Sequence, residues 1–317
     1  MVLLVANALW ALNFTVVKFG LSQINPLAFP MLRWGLGGLA MAAILRWREG
    51  TLRVARSDIL LLLATAVLGI TLNQVLFVYS LTFTGASDVA LLGAAGPLLT
   101  ASLATLVGLE HLRRRHWVGA LLGMTGVAMI GGGRVHASPG GSSLLGDGLA
   151  LGATVCSSAS VLMVSHLLQR YSAWRILTYE MLLGSAVLLP FALPALVSQD
   201  YARVTLSGWG CLAYTVVFAG VVTNLLYFTG IDRVGPSRTA MYSNLQALLG
   251  AALAVVLLHE TLSLIELCGG LIVIGSILLS RSGSSPGRES WRSATPGKPV
   301  TARVWRPRFH HGEAPPR

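Results

Sequence analysis

The sequence predicts an all-α integral membrane protein of ten transmembrane helices, arranged as two inverted five-helix repeats. Composition is the first reason. The chain is 54% hydrophobic and only 11% charged, whereas a soluble domain carries roughly 25% charged residues. Its mean hydropathy is +0.69. The second reason is length: charge-poor stretches near the roughly 20 residues that a bilayer-crossing helix needs recur along the chain. The alternating ten-residue segments of a membrane barrel are not seen. The third is an internal repeat. Thr65–Leu121 shifted by 150 positions falls on Thr215–Leu271 without a gap, with 15 of 57 positions identical, among them Gly85/Gly235, Ser87/Ser237, Ala104/Ala254, Glu110/Glu260 and Gly119/Gly269. An odd number of spans in each half places the halves upside down relative to each other, which is the architecture of secondary transporters.

The spans run approximately Met1–Gly20, Leu27–Leu45, Asp58–Phe83, Ser87–Leu106, Trp117–Gly131, Leu145–Leu167, Trp174–Leu196, Gly208–Gly230, Pro236–Leu258 and Leu264–Leu279. The third is long enough to tilt or to include an interfacial turn. The fifth and tenth are short. Residues 1–135 form the first repeat, 145–280 the second, and 281–317 a basic tail. No basic residue precedes the first apolar run, so that run is expected to be a retained helix rather than a cleaved signal.

Orientation follows from the basic residues. With the N-terminus in the cytoplasm, the inward loops carry Arg46, Arg48, Arg53, Arg56, Arg113, Arg114, Arg115, Arg170, Arg175, Arg233 and Arg238, against Lys18, Arg134 and Arg203 outside. That bias predicts a multi-pass protein of the cell membrane with both termini cytoplasmic. It also accounts for the net charge of +11 through anionic lipid rather than nucleic acid. The tail, rich in Ser, Pro, Gly and Arg, lacks an apolar face and is expected to be disordered; Trp291 and Trp305 in it are expected to be solvated or to touch the membrane surface. His310 and His311 lack further ligands for a metal. Cys156, Cys211 and Cys268 lie inside predicted spans, without metal-motif spacing, and read as packing residues. There is no phosphate loop for ATP drive, and no cofactor is expected.

Three stretches carry a resemblance. They are ALWALNFTVVKFGL followed by NPLAFPMLRWGLGGLAMA in the first two spans, GASDVALLGAAGPLLTASLATLVGLEHL in the fourth, and VGPSRTAMYSNLQALLGAALAVVLLHETL in the ninth. The chain resembles the EamA family of the drug/metabolite transporter superfamily from Met1 to about Ser280. The resemblance implies two five-span repeats around a central cavity, with peripheral fifth and tenth spans. It places a glutamate at the end of the penultimate span of each repeat, here Glu110 and Glu260, and a proline in mid-helix, here Pro97. Ala247 stands at the corresponding second position, where no such kink is expected. Tyr242 and Asn244 match polar cavity positions of the family. The implied activity is transport of a small amphipathic metabolite such as an amino acid, not catalysis.

Polar groups in apolar helices are costly and face the bundle interior or a water-filled path. Trp10 and Asn13 are three apart and share a helix face, where an aromatic ring beside an amide could hold an amphipathic solute. Asn73 and Gln74 lie mid-span; the repeat sets Asn224 opposite Gln74 and Tyr227 opposite Phe77. These amides either bind substrate or bridge helices. Ser157, Ser158 and Ser160 are small enough for close helix contact or expose hydroxyls to the cavity. Gly35, Gly37, Gly38, Gly93 and Gly96 permit close approach. Arg33 meets an anionic substrate group or bonds carbonyls at the outer end. Glu180 carries a proton or, as the favoured reading, pairs with Arg175 or another cytoplasmic arginine. The two are expected not to pair with each other. Asp88 follows Ser87 at the start of the fourth span and reads first as a helix-terminus charge, with a coupling-ion role as the alternative. A membrane enzyme acting on lipid-linked substrates would want clustered acids or histidines, and a small-solute channel a continuous polar stripe; the acids here are scattered singly and the amides isolated.

The topology is testable. A reporter active only in the cytoplasm is expected to work at the C-terminus, and one active only outside at the loop near Ser198. Reversed signals at both positions would overturn the arrangement.

Overall fold

The structure, a computed structural model, describes residues 2–50, 53–106, 118–119, 121–123, 125–126, 129, 142–234, 239, 243–258 and 263–281. Every regular element among them is helical. The first, α1, is Val2–Leu21, and α2 is Ala28–Glu49. The third, α3, enters through a 3-10 turn at Arg56–Asp58 and comprises Ile59–Ala66, Val67–Leu72 and Asn73–Phe83. Next come α4, Ala86–Gly93, and α5, Gly96–Leu106. The second half supplies α6, Ser142–Leu167, and α7, Ala173–Ser198. Its α8 comprises Leu206–Tyr214, Thr215–Val222 and Thr223–Val234; α9 is Ser243–Leu258 and α10 is Leu264–Arg281.

Among the described residues, seven helical rods are long and apolar enough to cross a membrane, and they coincide with the expected spans one to four and six to eight. Shorter apolar helices, Leu249–Leu258 and Leu267–Ser276, fall within the expected ninth and tenth. Most of the fifth, Trp117–Gly131, lies outside the described residues, as do Glu110, Glu260, Tyr242 and the tail beyond Arg281.

The middle of α3 and of α8 is not α-helical. Val67–Leu72 and Thr215–Val222 are wound as π-helix, and 67–72 shifted by 150 lies at 217–222, inside the second segment. A π turn bonds i to i+5, widening the helix and loosening its hold on local carbonyls. Side chains then compensate. Thr223 Oγ1 donates to the Phe218 carbonyl at 2.7 Å and Asn224 Nδ2 to Ala219 at 3.2 Å, each five residues back. In α3 the freed geometry is used between helices, where Thr71 Oγ1 donates to the Gly184 carbonyl of α7 at 2.8 Å.

The most extensive pairings are α2 with α7, α1 with α9, and α3 with α6. Each joins a helix before residue 135 to one that begins at Ser142 or later, so the two halves interleave. Small residues allow it. A Cβ on Gly38 would lie 3.2 Å from the Met181 Cβ and the Leu182 nitrogen of α7. One on Gly184 would lie 2.8 Å from the Ile70 Cβ and 3.1 Å from the Ala66 carbonyl oxygen. The apolar residues form one core around Phe14, Phe29, Leu81 and Leu92 and another around Met41, Leu62, Ile176 and Met181.

Polar ties close the two ends of the α2–α7 pair. At one end, Asp58 accepts from Arg170 Nη1 at 2.8 Å and from Tyr171 Oη at 2.7 Å. Beside it Glu49 accepts from Arg175 Nη2 and Ser172 Oγ, each at 2.5 Å. At the other end the ties are neutral. Gln23 Oε1 accepts from the Thr205 N–H at 2.9 Å and Thr205 Oγ1 at 2.8 Å, and Gln199 Oε1 accepts from the Asn25 N–H at 2.8 Å. Asp88 belongs to a third polar group, buried between α1, α4 and α6. The Thr84 hydroxyl lies 3.0 Å from both Asp88 Oδ2 and Asp147 Oδ1, and Lys18 Nζ donates to the Thr84 carbonyl at 2.9 Å.

Two outcomes follow from this packing. Gly184→Val drives a methyl group into α3 and is expected to destabilise by about 1–3 kcal/mol, read as a lower thermal midpoint of the purified protein; an unchanged midpoint would contradict the close crossing. The second concerns the Tyr171 phenol, which donates to the Asp58 carboxylate. That bond favours the protonated phenol and raises its pKa above the ordinary tyrosine range, with burial adding to the rise. Its stabilising contribution is therefore present below that range and is lost as pH climbs through the raised value. Asp58→Asn is expected to move Tyr171 ionisation to lower pH, measured by tyrosinate absorbance with Tyr171→Phe as the blank. No movement would mean that the bond is not made.

Candidate functional site

A cavity of about 240 Å³ lies where the two halves interleave. Its wall takes Trp10 and Asn13 from α1, Arg33 and Trp34 from α2, and Asn73, Gln74 and Phe77 from α3. Pro97 and Thr100 come from α5, Ser157 from α6, Glu180 from α7, Asn224 and Tyr227 from α8, and Gln246 from α9. Hence Trp10, Asn13, Asn73, Gln74, Ser157, Asn224, Tyr227, Arg33, Glu180 and Pro97 share one space. Asp88 does not line it. The Tyr242 and Asn244 side chains lie outside the described residues.

Trp10 and Asn13 face the cavity together, as their spacing requires. The Trp10 ring is not a loosely packed plate, however. Its Nε1 donates to the Ala219 carbonyl in the π segment of α8 at 3.1 Å, and the ring tilts against Tyr227 with centroids 5.0 Å apart. The π winding is what presents that carbonyl, so the wall of the cavity and the α1–α8 contact are one structure. Asn13 Oδ1 is buried without a hydrogen-bond partner.

The amides of α3 bridge helices as well as lining the space. Asn73 Nδ2 donates to the Ala153 carbonyl of α6 at 2.7 Å, and Gln74 Nε2 donates to Asn73 Oδ1 at 2.7 Å. Gln74 Oε1 accepts from Arg33 Nη1 at 3.3 Å. A chain of bonds therefore runs from α2 through α3 to α6. Asn224, the repeat counterpart of Gln74, instead turns back on its own helix and donates to the Gly220 carbonyl at 2.7 Å. Repeat-related amides thus face one cavity with different partners.

Pro97 is the second residue of α5, just after the chain breaks from helix at Ala94 and Ala95. Proline suits a first helical turn because its missing N–H has no intrahelical acceptor there.

Arg33 and Glu180 are the two charged residues of the wall, 4% exposed each. Neither makes an ion pair, with each other or with another described residue. The Arg33 guanidinium sits 4.6 Å from the centroid of the adjacent Trp34 ring. It bonds a side-chain amide rather than the carbonyls of an outer vestibule. The expectation that Glu180 pairs with Arg175 is overturned: Arg175 binds Glu49, and Glu180 Oε1 accepts from Ser160 Oγ at 3.3 Å. The reason is azimuth. Five residues along an α-helix advance about 500°, leaving the two side chains about 140° apart. Ser160 was legible as a small residue at a contact, but its role as a partner of Glu180 was not. Gln246 and Thr100 were missed; both are isolated polar residues in apolar helices, the signal that flagged Asn73.

Comparison with known proteins bears on the whole chain. The family model described as the EamA-like transporter family matches twice, over residues 1–132 and 144–282. The chain is 25% identical to the uncharacterized transporter YetK of Bacillus subtilis (strain 168), over 87% of this chain and 84% of that protein. It is 26% identical to the uncharacterized inner membrane transporter YedA of Escherichia coli (strain K12), over 93% and 92%. A protein of known crystal structure superposes with a TM-score of 0.64 at 17% identity, covering 88% of this chain and 95% of that one, which establishes likeness of fold. With apolar spans, a cavity between interleaved halves and a family match on each half, the chain belongs to the EamA-like transporter family of membrane proteins.

Proposed function

We propose that the protein is a secondary transporter, an exporter or facilitator, of small amphipathic metabolites such as amino acids. Ten spans form two inverted repeats, residues 1–135 and 145–280, with both termini and the 281–317 tail in the cytoplasm. Access to the cavity alternates as one repeat rocks against the other. The single observation that carries this reading is the cavity itself, walled by both halves with aromatic rings and amides together. At about 240 Å³ it falls below the roughly 300–1,000 Å³ of drug-sized sites, which favours a small solute. The paired family matches and the π segments 150 residues apart support the repeat.

Purified protein in liposomes, screened for uptake and efflux across amino acids and related metabolites, tests the function. Flux of at least one amphipathic solute above empty liposomes is expected; none across the panel would sink the proposal. The site is tested in a background with Cys156, Cys211 and Cys268 replaced by Ala. Cysteines at Asn13, Gln74, Asn224 and Tyr227 are expected to react with a small water-soluble thiol reagent, because thiolate chemistry needs water, and substrate is expected to slow them. Uniform silence in a transport-competent protein would mean that these positions are dry contacts. Trp10→Ala is expected to weaken both binding and folding, since the ring also joins α1 to α8.

A further inference from the structure

We infer that the cavity is bipolar and recognises a compact zwitterion, with the substrate's carboxylate taken by Arg33 and its ammonium by Glu180. This rests on the transport reading and assigns its specificity to two residues. The cavity wall carries one positive and one negative side chain. Both are buried to within 4% of their surface, and neither has an opposite charge at ion-pair distance. Buried ions are ordinarily paired, so each end lacks the partner that a ligand can bring. The donors at the Arg33 end are in surplus. Arg33 Nε and the Trp34 indole Nε1 are both buried without an acceptor, and Arg33 Nη1 donates to the neutral Gln74 amide. Two unfilled N–H donors and a cation fit a carboxylate, which accepts several charge-assisted bonds at once. The Glu180 end holds a carboxylate whose partners are the Ser160 and Thr65 hydroxyls, and an ammonium with three donors supplies the charge that they lack.

The spacing sets the size of the ligand. Along α3, Glu180 Oε1 lies beside Gly69 and Arg33 bonds Gln74, five residues on across the π segment. Along α2, Gly37 meets Met181, next to Glu180, with a Cβ position 3.6 Å from its sulfur. Arg33 lies four residues, or about 6 Å, further along α2. Both comparisons put the two ends about one helical turn, roughly 5 Å of backbone, apart along the bundle. A separation of about one helical turn suits charges a few bonds apart, as on one α-carbon, better than charges at the two ends of a long chain. The apolar part of such a molecule then lies against Trp10, Phe77 and Tyr227.

Equilibrium binding to the purified full-length protein in nanodiscs tests this with three probes: norleucine, caproate, which lacks the amine, and pentylamine, which lacks the carboxylate. Wild type is expected to bind norleucine at least about tenfold tighter than either half-probe, roughly one charge-assisted bond's worth of discrimination. Arg33→Gln is expected to weaken norleucine and caproate by about tenfold or more while leaving pentylamine within a few-fold. Glu180→Gln is expected to do the converse. Caproate that ignores Arg33→Gln, or half-probes that respond equally to both substitutions, would overturn the assignment. So would a wild type that binds norleucine no better than the half-probes, or binds none of the three, and those results need no variant to fold. Flux of uncharged or singly charged metabolites in the liposome screen, with no preference for norleucine, would overturn the bipolar site and leave the transport reading standing.

Discussion

The constraint on which this structure depends is that polar groups carried into hydrocarbon must be satisfied by other parts of the chain. The helix α3 is where most of them meet. Its 3-10 entry holds Asp58 against Arg170 and Tyr171, and its π segment sets Thr71 on the Gly184 carbonyl. The residues that follow bond Arg33 and Ala153. A straight α-helix would rotate Asn73 and Gln74 relative to Gly69 by a different amount. The π winding is therefore part of how the α2 cation and the α7 carboxylate come to face one space.

The ties at the ends of the α2–α7 pair differ in kind. One end holds two carboxylates, two arginines and a phenol; the other holds amides and a hydroxyl. Arg170 is 54% exposed, so its ion pair with Asp58 is screened and modest. The Arg175–Glu49 pair, with both side chains under a quarter exposed, is the firmer bond. Any motion that parts these loops at the charged end must break both, whereas the amide end exchanges its bonds for water at little net cost.

Much of this was legible in the sequence because it depends on periodicity and composition. The seven described spans, the interfacial turn before α3, the shared face of Trp10 and Asn13 and the close approach at Gly38 all follow from spacing or size. The π segments were not legible. Apolar residues such as those of Val67–Leu72 are compatible with either winding, and nothing in their identity fixes a bond to i+5 rather than i+4. Partner choice was lost with it. The Trp10 indole finds a π-segment carbonyl, and Asn224 folds onto the same turn, so residues read as open cavity groups are also structural. Glu180 and Arg175 are near in sequence, but the helical azimuth sets their side chains about 140° apart.

The unpaired charges of the cavity remain the least economical feature of the fold. Placing an ion in a low-dielectric interior costs several kcal/mol even after relaxation. Arg33 stacks on Trp34 and Glu180 accepts from a hydroxyl, but neither contact supplies a charge of opposite sign at ion-pair distance. Water in the cavity can solvate both groups, but water satisfies either end without regard to what lies at the other. A molecule with opposite charges a few bonds apart satisfies both ends at once and neutralises each locally. A wall built this way separates a zwitterion from an apolar solute of equal size by the ions it would otherwise leave without partners.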